Sequence, residues 1–417
     1  MGIRIDGRTQ RNRLTSSINM KKSVSIIGGG SAALFLAAFL DSKKFQVTIF
    51  EKNKSLGRKF LVAGDGGFNL THSEPISQFI ERYTPSEFLK KSLTDFDNNN
   101  FQKWLSDIGI PTFVGTSNRV YPEKGIKPIE VLNTIVDVLS KQGVQIKYEQ
   151  TWTGWNEENN LVFNGDTAIK SDYAVFALGG GSWKVTGSDG TWLDIFKTKG
   201  LDVIPFQPSN CAYKIDWPEK FISKHEGSPL KNIAASCLDK CQKGEVVITK
   251  YGLEGNAIYA LSPQIREELK AKQSASVFLD LKPVFTTGEL LQKIKKSTLK
   301  NTTDILRVVL NLSPAQIGLL KAYTSKETFL NHELLVASIK KLEIKIVGSA
   351  EVDEAISTAG GLSLKAVDKS FQLKKLKNTY CIGEMLDWDA PTGGYLLQAC
   401  YSMGAELAGH LNRKRKL

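Results

Sequence analysis

The chain has 417 residues, of which 41% are hydrophobic and 24% are charged, with a formal net charge of +12. This composition is typical of a folded globular protein of two to three domains, and it excludes a collagen-like fibre and a disulfide scaffold. Five cysteines without a CxxC pair suggest a reducing, cytoplasmic compartment, and four scattered histidines give no support for a zinc site.

The positive charge is concentrated at the two termini. Residues 1–22 carry a net +5 and residues 413–416 a net +4, which leaves +3 for the rest of the chain. We therefore expect a basic leader without fixed structure over 1–20, a basic tail over 413–417, and no nucleic acid as the main partner. Because the leader is Arg-rich but lacks an apolar core segment, an alternative or non-native start ahead of Met20 is favoured over a transit peptide. No apolar run is long enough to span a bilayer.

The first chemical motif follows a predicted strand over 24–28. It reads Gly28-Gly-Gly30-Ser-Ala-Ala, continues into an apolar helix, and is followed by a second strand over 46–50 that ends at Glu51. This is the GxGxxA fingerprint of dinucleotide binding, with the acid about 20 residues later. Gly28 permits the tight turn, Gly30 lets the backbone approach a pyrophosphate, and Glu51 can accept hydrogen bonds from ribose hydroxyls. An acid at this position disfavours NADP, whereas the motif alone does not separate NAD from FAD.

A segment rich in glycine and cations follows over 51–72. Arg58 and Lys59 could neutralise a diphosphate, and the glycines at 64, 66 and 67 would let the backbone press against a flat ring. By composition alone, a flexible surface loop is an equally good interpretation.

Together these strings resemble the FAD-binding region of the YhiN/BaiN-like flavoproteins, often described as aminoacetone-oxidase-like. The resemblance is carried by residues 27–33, Glu51, Leu56-Gly-Arg-Lys59 and Gly64-Asp-Gly-Gly-Phe-Asn-Leu-Thr71, with Asp65 as a departure where many relatives have Gly or Ser. It extends over 22–412, and its most specific string is Asp387-Trp-Asp-Ala-Pro-Thr-Gly-Gly-Tyr-Leu-Leu-Gln398. It implies noncovalent FAD.

The resemblance also implies the fold. A strand running into Ala177-Leu-Gly179-Gly is similar to the second fingerprint of glutathione-reductase-type FAD folds. The last element of such folds is similar to the C-terminal stretch of this chain, where a strand is followed by Gly383-Glu384 and by a helix that starts near Gly394. We predict an α/β protein with a discontinuous Rossmann-like FAD-binding domain over 21–200 and 345–412. A β-rich, barrel-like insertion over 201–282 and a helical insertion over 283–344 separate its two parts.

The predicted cofactor-binding residues combine these motifs: Gly28, Gly30, Ser31, Ala32, Glu51, Lys52, Arg58, Lys59, Gly66, Gly67, Asn69, Thr71, Trp152, Ala177, Gly179, Gly383, Glu384, Asp387, Gly393, Gly394, Tyr395 and Leu396. No catalytic residue is assigned, although the polar groups expected near the ring are His72, Asp387, Asp389 and Tyr395.

The predicted function is an FAD-dependent oxidoreductase of a small molecule, by C=C reduction or amine oxidation. The sequence contains no second GxGxxG, so NAD(P)H would reach the flavin from solution as a transient donor. Two alternatives stay open, an RNA-associated flavoprotein of the tRNA-modification type and a non-catalytic electron carrier or sensor.

Overall fold

The computed structural model describes residues 21–62 and 68–414. The first part of the chain contributes β1 (Lys22–Ile27), α1 (Ser31–Phe39), β2 (Phe45–Phe50), α2 (Arg58–Val62), β3 (Thr71–His72), α3 (Ile76–Ile80), α4 (Ser86–Asp95), α5 (Asn98–Asp107), β4 (Thr112–Val114), β5 (Arg119–Pro122), α6 (Pro128–Lys141), β6 (Gln145–Lys147), β7 (Trp152–Trp155), β8 (Leu161–Phe163), β9 (Thr167–Ile169), β10 (Tyr173–Phe176) and α7 (Trp192–Thr198).

The middle of the chain contributes β11 (Val203–Ser209), β12 (Tyr213–Lys214), α8 (Glu219–His225), β13 (Pro229–Cys237), β14 (Lys240–Thr249), β15 (Gly252–Glu254), α9 (Asn256–Tyr259), α10 (Ser262–Lys272), β16 (Ala275–Asp280), α11 (Thr287–Lys295), α12 (Thr302–Asp304), α13 (Pro314–Tyr323), α14 (Lys326–Leu330), α15 (His332–Lys340), β17 (Leu342–Ile346) and β18 (Gly348–Ser349). The last part adds β19 (Ser357–Leu362), β20 (Thr379–Cys381) and α16 (Tyr395–Arg413).

A five-stranded parallel sheet carries the dinucleotide motif. Its strand order is β20-β10-β1-β2-β6, so the C-terminal strand β20 completes a sheet begun by β1. The strands are short and apolar, as expected of a sheet that is covered on both faces. The helices α1 and α16 pack against each other on one face of the sheet. This arrangement confirms the predicted Rossmann-like fold and brings both ends of the chain to one site.

The β-rich insertion forms a second sheet of antiparallel strands that curls towards closure. Its order is β17-β16-β13-β14-β15-β12-β18, and only Val347 separates the two strands at its ends. Residues 342–349 therefore pair with β16 on one side and with β12 on the other, which closes the sheet into a small barrel. The closing segment follows the helices in sequence, so sequence analysis did not place it in the β-rich part.

Each part has its own apolar core. One core is built by the parallel sheet, α1, α6 and α16, and the other by the barrel and the helices α8, α10, α11, α13 and α15. Two antiparallel strands, β11 and β19, carry the chain from one core to the other and back. The domain boundaries expected from the sequence stay predictions. Within the described residues, no helix is long and apolar enough to cross a membrane.

Candidate cofactor site

The glycine turn after β1 is fixed by its neighbours. Gly28 has φ of +101°, and a Cβ there would lie 2.5 Å from the carbonyl oxygen of Ala177 on β10's extension, so only glycine fits. Apart from its chain neighbours, none of residues 21–62 and 68–414 would lie within 4 Å of a Cβ on Gly30, so these residues leave the space in front of α1 open. The first N–H groups of α1 face this space without a side-chain cap, as an anion site requires. Ser31 and Ala32 form the first turn of the same helix.

Glu51 stands at the end of β2 and is buried. Its Oε2 accepts a hydrogen bond of 2.7 Å from the Gly29 N–H, and its Oε1 accepts from both the backbone and the side-chain amide of Asn53 at 2.7 Å. Oε1 already accepts two hydrogen bonds, whereas Oε2 can accept a further one. Glu51 therefore ties the glycine turn to the bend after β2, and it keeps acceptor capacity for a ligand.

Three cations lie along the rim of the cleft, namely Lys52, Arg58 and Lys59. Lys52 Nζ is 2.6 Å from Asp189 Oδ2, and Arg58 donates to Asn53 Oδ1 at 2.8 Å and to the Val185 carbonyl at 2.7 Å. Burial raises the pKa of Asp189, but hydrogen bonds from Lys52 and Thr191 more than offset this, so the pKa is lowered. The carboxylate thus stays charged beside Lys52.

Lys59 connects the two ends of the chain. Its Nζ lies 3.0 Å from Ser182 Oγ and 3.5 Å from Glu384 Oε2. Glu384 follows β20 in the chain. Gly383 has φ of +84°, and a Cβ there would come within 2.9 Å of the Ala32 Cβ. The turn after β20 therefore packs directly on the start of α1, and Glu384 reaches the cleft.

The opposite wall of the cleft is aromatic. Trp152 is 7% exposed and packs edge-to-face on Trp155 and Phe176. Its indole N–H has no hydrogen-bond partner among the residues that the structure describes. A buried indole N–H normally finds a partner, so this donor marks a position where a ligand atom fits. Ala177 and Gly179 continue the wall, and Trp192 donates to the Gly179 carbonyl at 3.2 Å.

The cleft has a cavity volume of about 200 Å³. It gathers ten of the predicted residues: Gly28, Gly30, Glu51, Lys52, Arg58, Lys59, Trp152, Ala177, Gly179 and Glu384. It also contains residues that sequence analysis missed: Asn53, Gln150, Thr186, Ser188, Asp189 and Trp192. The small, glycine-rich run over 179–190 was the signal that could have found Thr186, Ser188 and Asp189.

A second group of predicted residues lies around the start of α16. Thr71 is fully buried, and its hydroxyl donates to Gln398 Oε1 at 2.7 Å, so this side chain is used within the protein. Gly394 has φ of +99°, and a Cβ there would lie 2.5 Å from Thr71 backbone atoms. Leu396 packs on the core, and Asn69 leads into β3. Gly66 and Gly67, like Asp65, lie outside the described residues.

The polar groups expected near the ring are engaged elsewhere. Tyr395 donates its hydroxyl to Glu74 at 2.6 Å, and Asp387 accepts from the Gly360 N–H at 2.9 Å. Asp389 is paired with Arg266 at 2.5 Å. His72 Nδ1 accepts from the Glu74 N–H at 3.2 Å, and burial lowers its pKa. None of these four side chains lines the cleft.

Comparison with known proteins matches residues 22–410 to the family model described as HI0933-like protein Rossmann domain. The chain is 25% identical over 409 residues to a ribosomal RNA dihydrouridine synthase of Haemophilus influenzae, covering 93% of this chain and 98% of the relative. It is 24% identical over 416 residues to a 3-dehydro-bile acid delta(4,6)-reductase of Clostridium scindens, covering 94% and 99%.

Among solved structures, a 3-ketosteroid-delta4-(5alpha)-dehydrogenase from Rhodococcus jostii is similar with a TM-score of 0.48 and 11% identity, covering 96% of this chain and 99% of that one. A flavocytochrome c3 fumarate reductase is similar with a TM-score of 0.46 and 14% identity, covering 94% and 78%.

Proposed function

This chain belongs to the HI0933-like protein Rossmann domain family, and from that premise we propose that it reduces a carbon–carbon double bond conjugated to a carbonyl group, with noncovalent FAD as its electron carrier. The membership confirms the resemblance read from the motifs. It also makes the chain an enzyme of the FAD-dependent oxidoreductase class.

The cleft that joins the first glycine turn to Glu384 carries the proposal. The open face at Gly30, the free N–H groups of α1 and the unpartnered Trp152 N–H fit a dinucleotide. Lys52, Arg58 and Lys59 would hold the diphosphate, and Glu51 would accept from the ribose. Bound there, FAD supplies the hydride chemistry, while these side chains bind and orient it.

The activities for which the relatives are named support the type of reaction. Dihydrouridine is uridine whose ring double bond is saturated, and a delta(4,6)-reductase saturates ring double bonds. In both substrates the double bond that becomes saturated lies in a ring and is conjugated with a carbonyl group. This shared chemistry favours C=C reduction over amine oxidation for the present chain. The proposed electron donor is NAD(P)H that reaches the flavin transiently from solution, since the sequence does not indicate a separate nicotinamide-binding domain.

The test begins with the visible spectrum of the purified protein and the identity of the flavin released by heat. We expect FAD in the supernatant, bleaching on anaerobic addition of NADH or NADPH, and reoxidation by a cyclic enone such as cyclohexenone or a steroid enone. Bleaching by a primary amine, without reoxidation by enones, would instead support amine oxidation. Absence of flavin would contradict the proposed function itself.

A second candidate substrate is a uracil base in RNA, and the charge distribution favours it. Residues 201–344 carry a net +5, and residues 291–300 contain four lysines and no acid. A basic surface of this kind attracts nucleic acid, and its binding weakens steeply with salt. A salt-dependent mobility shift with ribosomal RNA, together with an elevated A260/A280 ratio on purification, would favour this substrate. No shift at low salt would exclude it.

A further inference from the structure

One segment of the chain crosses the cofactor cleft. In the parallel sheet, β1 lies between β10 and β2, so the glycine turn after β1 also lies between the ends of those two strands. Residues 183–189 follow β10 in the chain but contact residues that follow β2, and they therefore bridge the carboxyl end of β1. We call residues 183–189 the strap. Its last four residues, 186–189, line the cleft.

Two cations fasten the strap to the far side of the cleft. Lys52 Nζ is 2.6 Å from Asp189 Oδ2, and Arg58 Nη2 donates to the Val185 carbonyl at 2.7 Å. Lys52 and Arg58 are also two of the cations that the proposed function assigns to the diphosphate. A lysine has three N–H donors and an arginine has five, so each cation can hold the strap and a diphosphate together.

The rest of the strap is less firmly held. Trp183, its first residue, has φ of +61° and ψ of +58°, a left-handed backbone that is unfavourable for a large aromatic residue. The side chain of Val185 is 75% exposed. Ser188 Oγ donates to the Gly180 carbonyl at 2.9 Å, but this contact holds the strap only to the β10 side of the cleft. The closed position therefore depends on the contacts with the far side.

We propose that the strap closes over bound FAD and that the Lys52–Asp189 ion pair keeps it closed, which makes Asp189 a positioning residue that retains the cofactor. The inference rests on the proposed function, because it takes the cleft to hold FAD. A ligand beneath a closed strap leaves only after the strap opens, and it enters by the same movement. A weaker ion pair should therefore raise the rates of FAD release and FAD entry together, with little change in the dissociation constant.

The test replaces Asp189 with asparagine in the full chain. Asp189→Asn keeps the side-chain shape and an acceptor for the Thr191 N–H, but it removes the ion pair with Lys52. We expect FAD release, followed by flavin fluorescence after dilution of the holoprotein, to accelerate about fivefold, the upper range for a partly exposed ion pair. Entry of FAD into the apoprotein, followed by stopped-flow fluorescence quenching, should accelerate by a similar factor.

A second measurement reports on the strap itself. Lys184 lies in the strap and is exposed, so trypsin can cleave after it when the segment opens. In the apoprotein, we expect cleavage after Lys184 to be about fivefold faster for Asp189→Asn than for the wild type, for the same loss of an ion pair. Addition of FAD should slow this cleavage in the wild type.

Asp280→Asn is the matched control. Asp280 Oδ2 is 2.6 Å from Lys340 Nζ, and its Oδ1 accepts from the N–H two residues later, as in Asp189, but Asp280 belongs to the barrel. This variant should leave both FAD rates and the cleavage after Lys184 unchanged.

Two results would overturn the inference. Asp189→Asn could behave like the Asp280→Asn control, or it could accelerate FAD release without accelerating FAD entry; in either case the strap does not gate the cleft. A wild-type protein that binds no FAD would instead overturn the proposed function. The tryptic comparison of the apoproteins would then still decide whether Asp189 holds the strap closed.

Discussion

Glu51 illustrates how one residue can serve both the fold and the ligand. Its carboxylate holds the Gly29 N–H and both amide donors of Asn53, so it organises the turn before any cofactor arrives. The spacing from Gly30 predicted an acid at this place. The sequence did not reveal that the acid would also anchor the turn, because that contact depends on how the loop folds back.

Replacing Glu51 with alanine should therefore have two effects. FAD affinity should fall by about 1.5–3 kcal/mol, because charged hydrogen bonds to the ribose are lost. The apoprotein should also lose stability, since the Gly29 N–H becomes unpaired. Isothermal titration of FAD, with thermal melts of the apoprotein, measures both. Unchanged affinity in a folded variant would remove Glu51 from the site.

Trp152 allows the ligand contribution to be separated from packing. Trp152→Phe removes a donor that has no partner in the described part of the chain, so FAD affinity should fall by about 1 kcal/mol. Trp155→Phe is the control, because Trp155 packs in the same aromatic cluster but does not line the cleft. Equal FAD dissociation constants for the two variants would contradict a hydrogen bond from Trp152 to the cofactor.

At the scale of elements, the strand–turn–helix–strand unit was predictable because its signals are local. β1, α1 and β2 each contain a short apolar run that is bounded by glycine or by a charged residue. The partners of Thr71 and Tyr395 were not predictable. Gln398 lies 327 residues from Thr71, and Glu74 lies 321 residues from Tyr395, and no sequence period connects such positions.

The helix start at Gly394 belongs to this scale as well. Gly394→Val would force a β-branched residue into a left-handed backbone and press its Cβ against Thr71. We expect a loss of about 1–3 kcal/mol from the strained backbone alone, in the apoprotein and the holoprotein alike. Melting curves of both forms test this. A variant with a normal apoprotein melting temperature but weakened FAD binding would show that the glycine serves only the cofactor.

At the scale of the whole molecule, one ion pair fastens the two cores together. Arg266 on α10 contacts Asp389, which follows β20, at 2.5 Å, and Ser209 Oγ lies within 2.8 Å of both carboxylate oxygens. The Asp389 side chain is only 4% exposed. A buried carboxylate that loses its partner is costly, so this contact is a point where the cores depend on each other.

Arg266→Met should destabilise the protein by about 3–5 kcal/mol, because it leaves Asp389 buried and unpaired. Adding Asp389→Asn should restore much of the loss. Lys270→Met on the same helix removes an exposed lysine and should change little. Urea unfolding of the three variants and the wild type measures these differences. A double variant no more stable than Arg266→Met would show that the charge of Asp389 is not the cause.

The closure of the barrel by residues 342–349 has a consequence for how the chain matures on the ribosome. The barrel lacks its last strand until residue 349 has emerged, and the parallel sheet lacks β20 until residue 381 has emerged. The middle of the polypeptide can therefore finish folding while the amino-terminal sheet still waits for its final strand and for α16. The nascent chain would complete the barrel first and the amino-terminal parallel sheet afterwards, which reverses the usual N-to-C order.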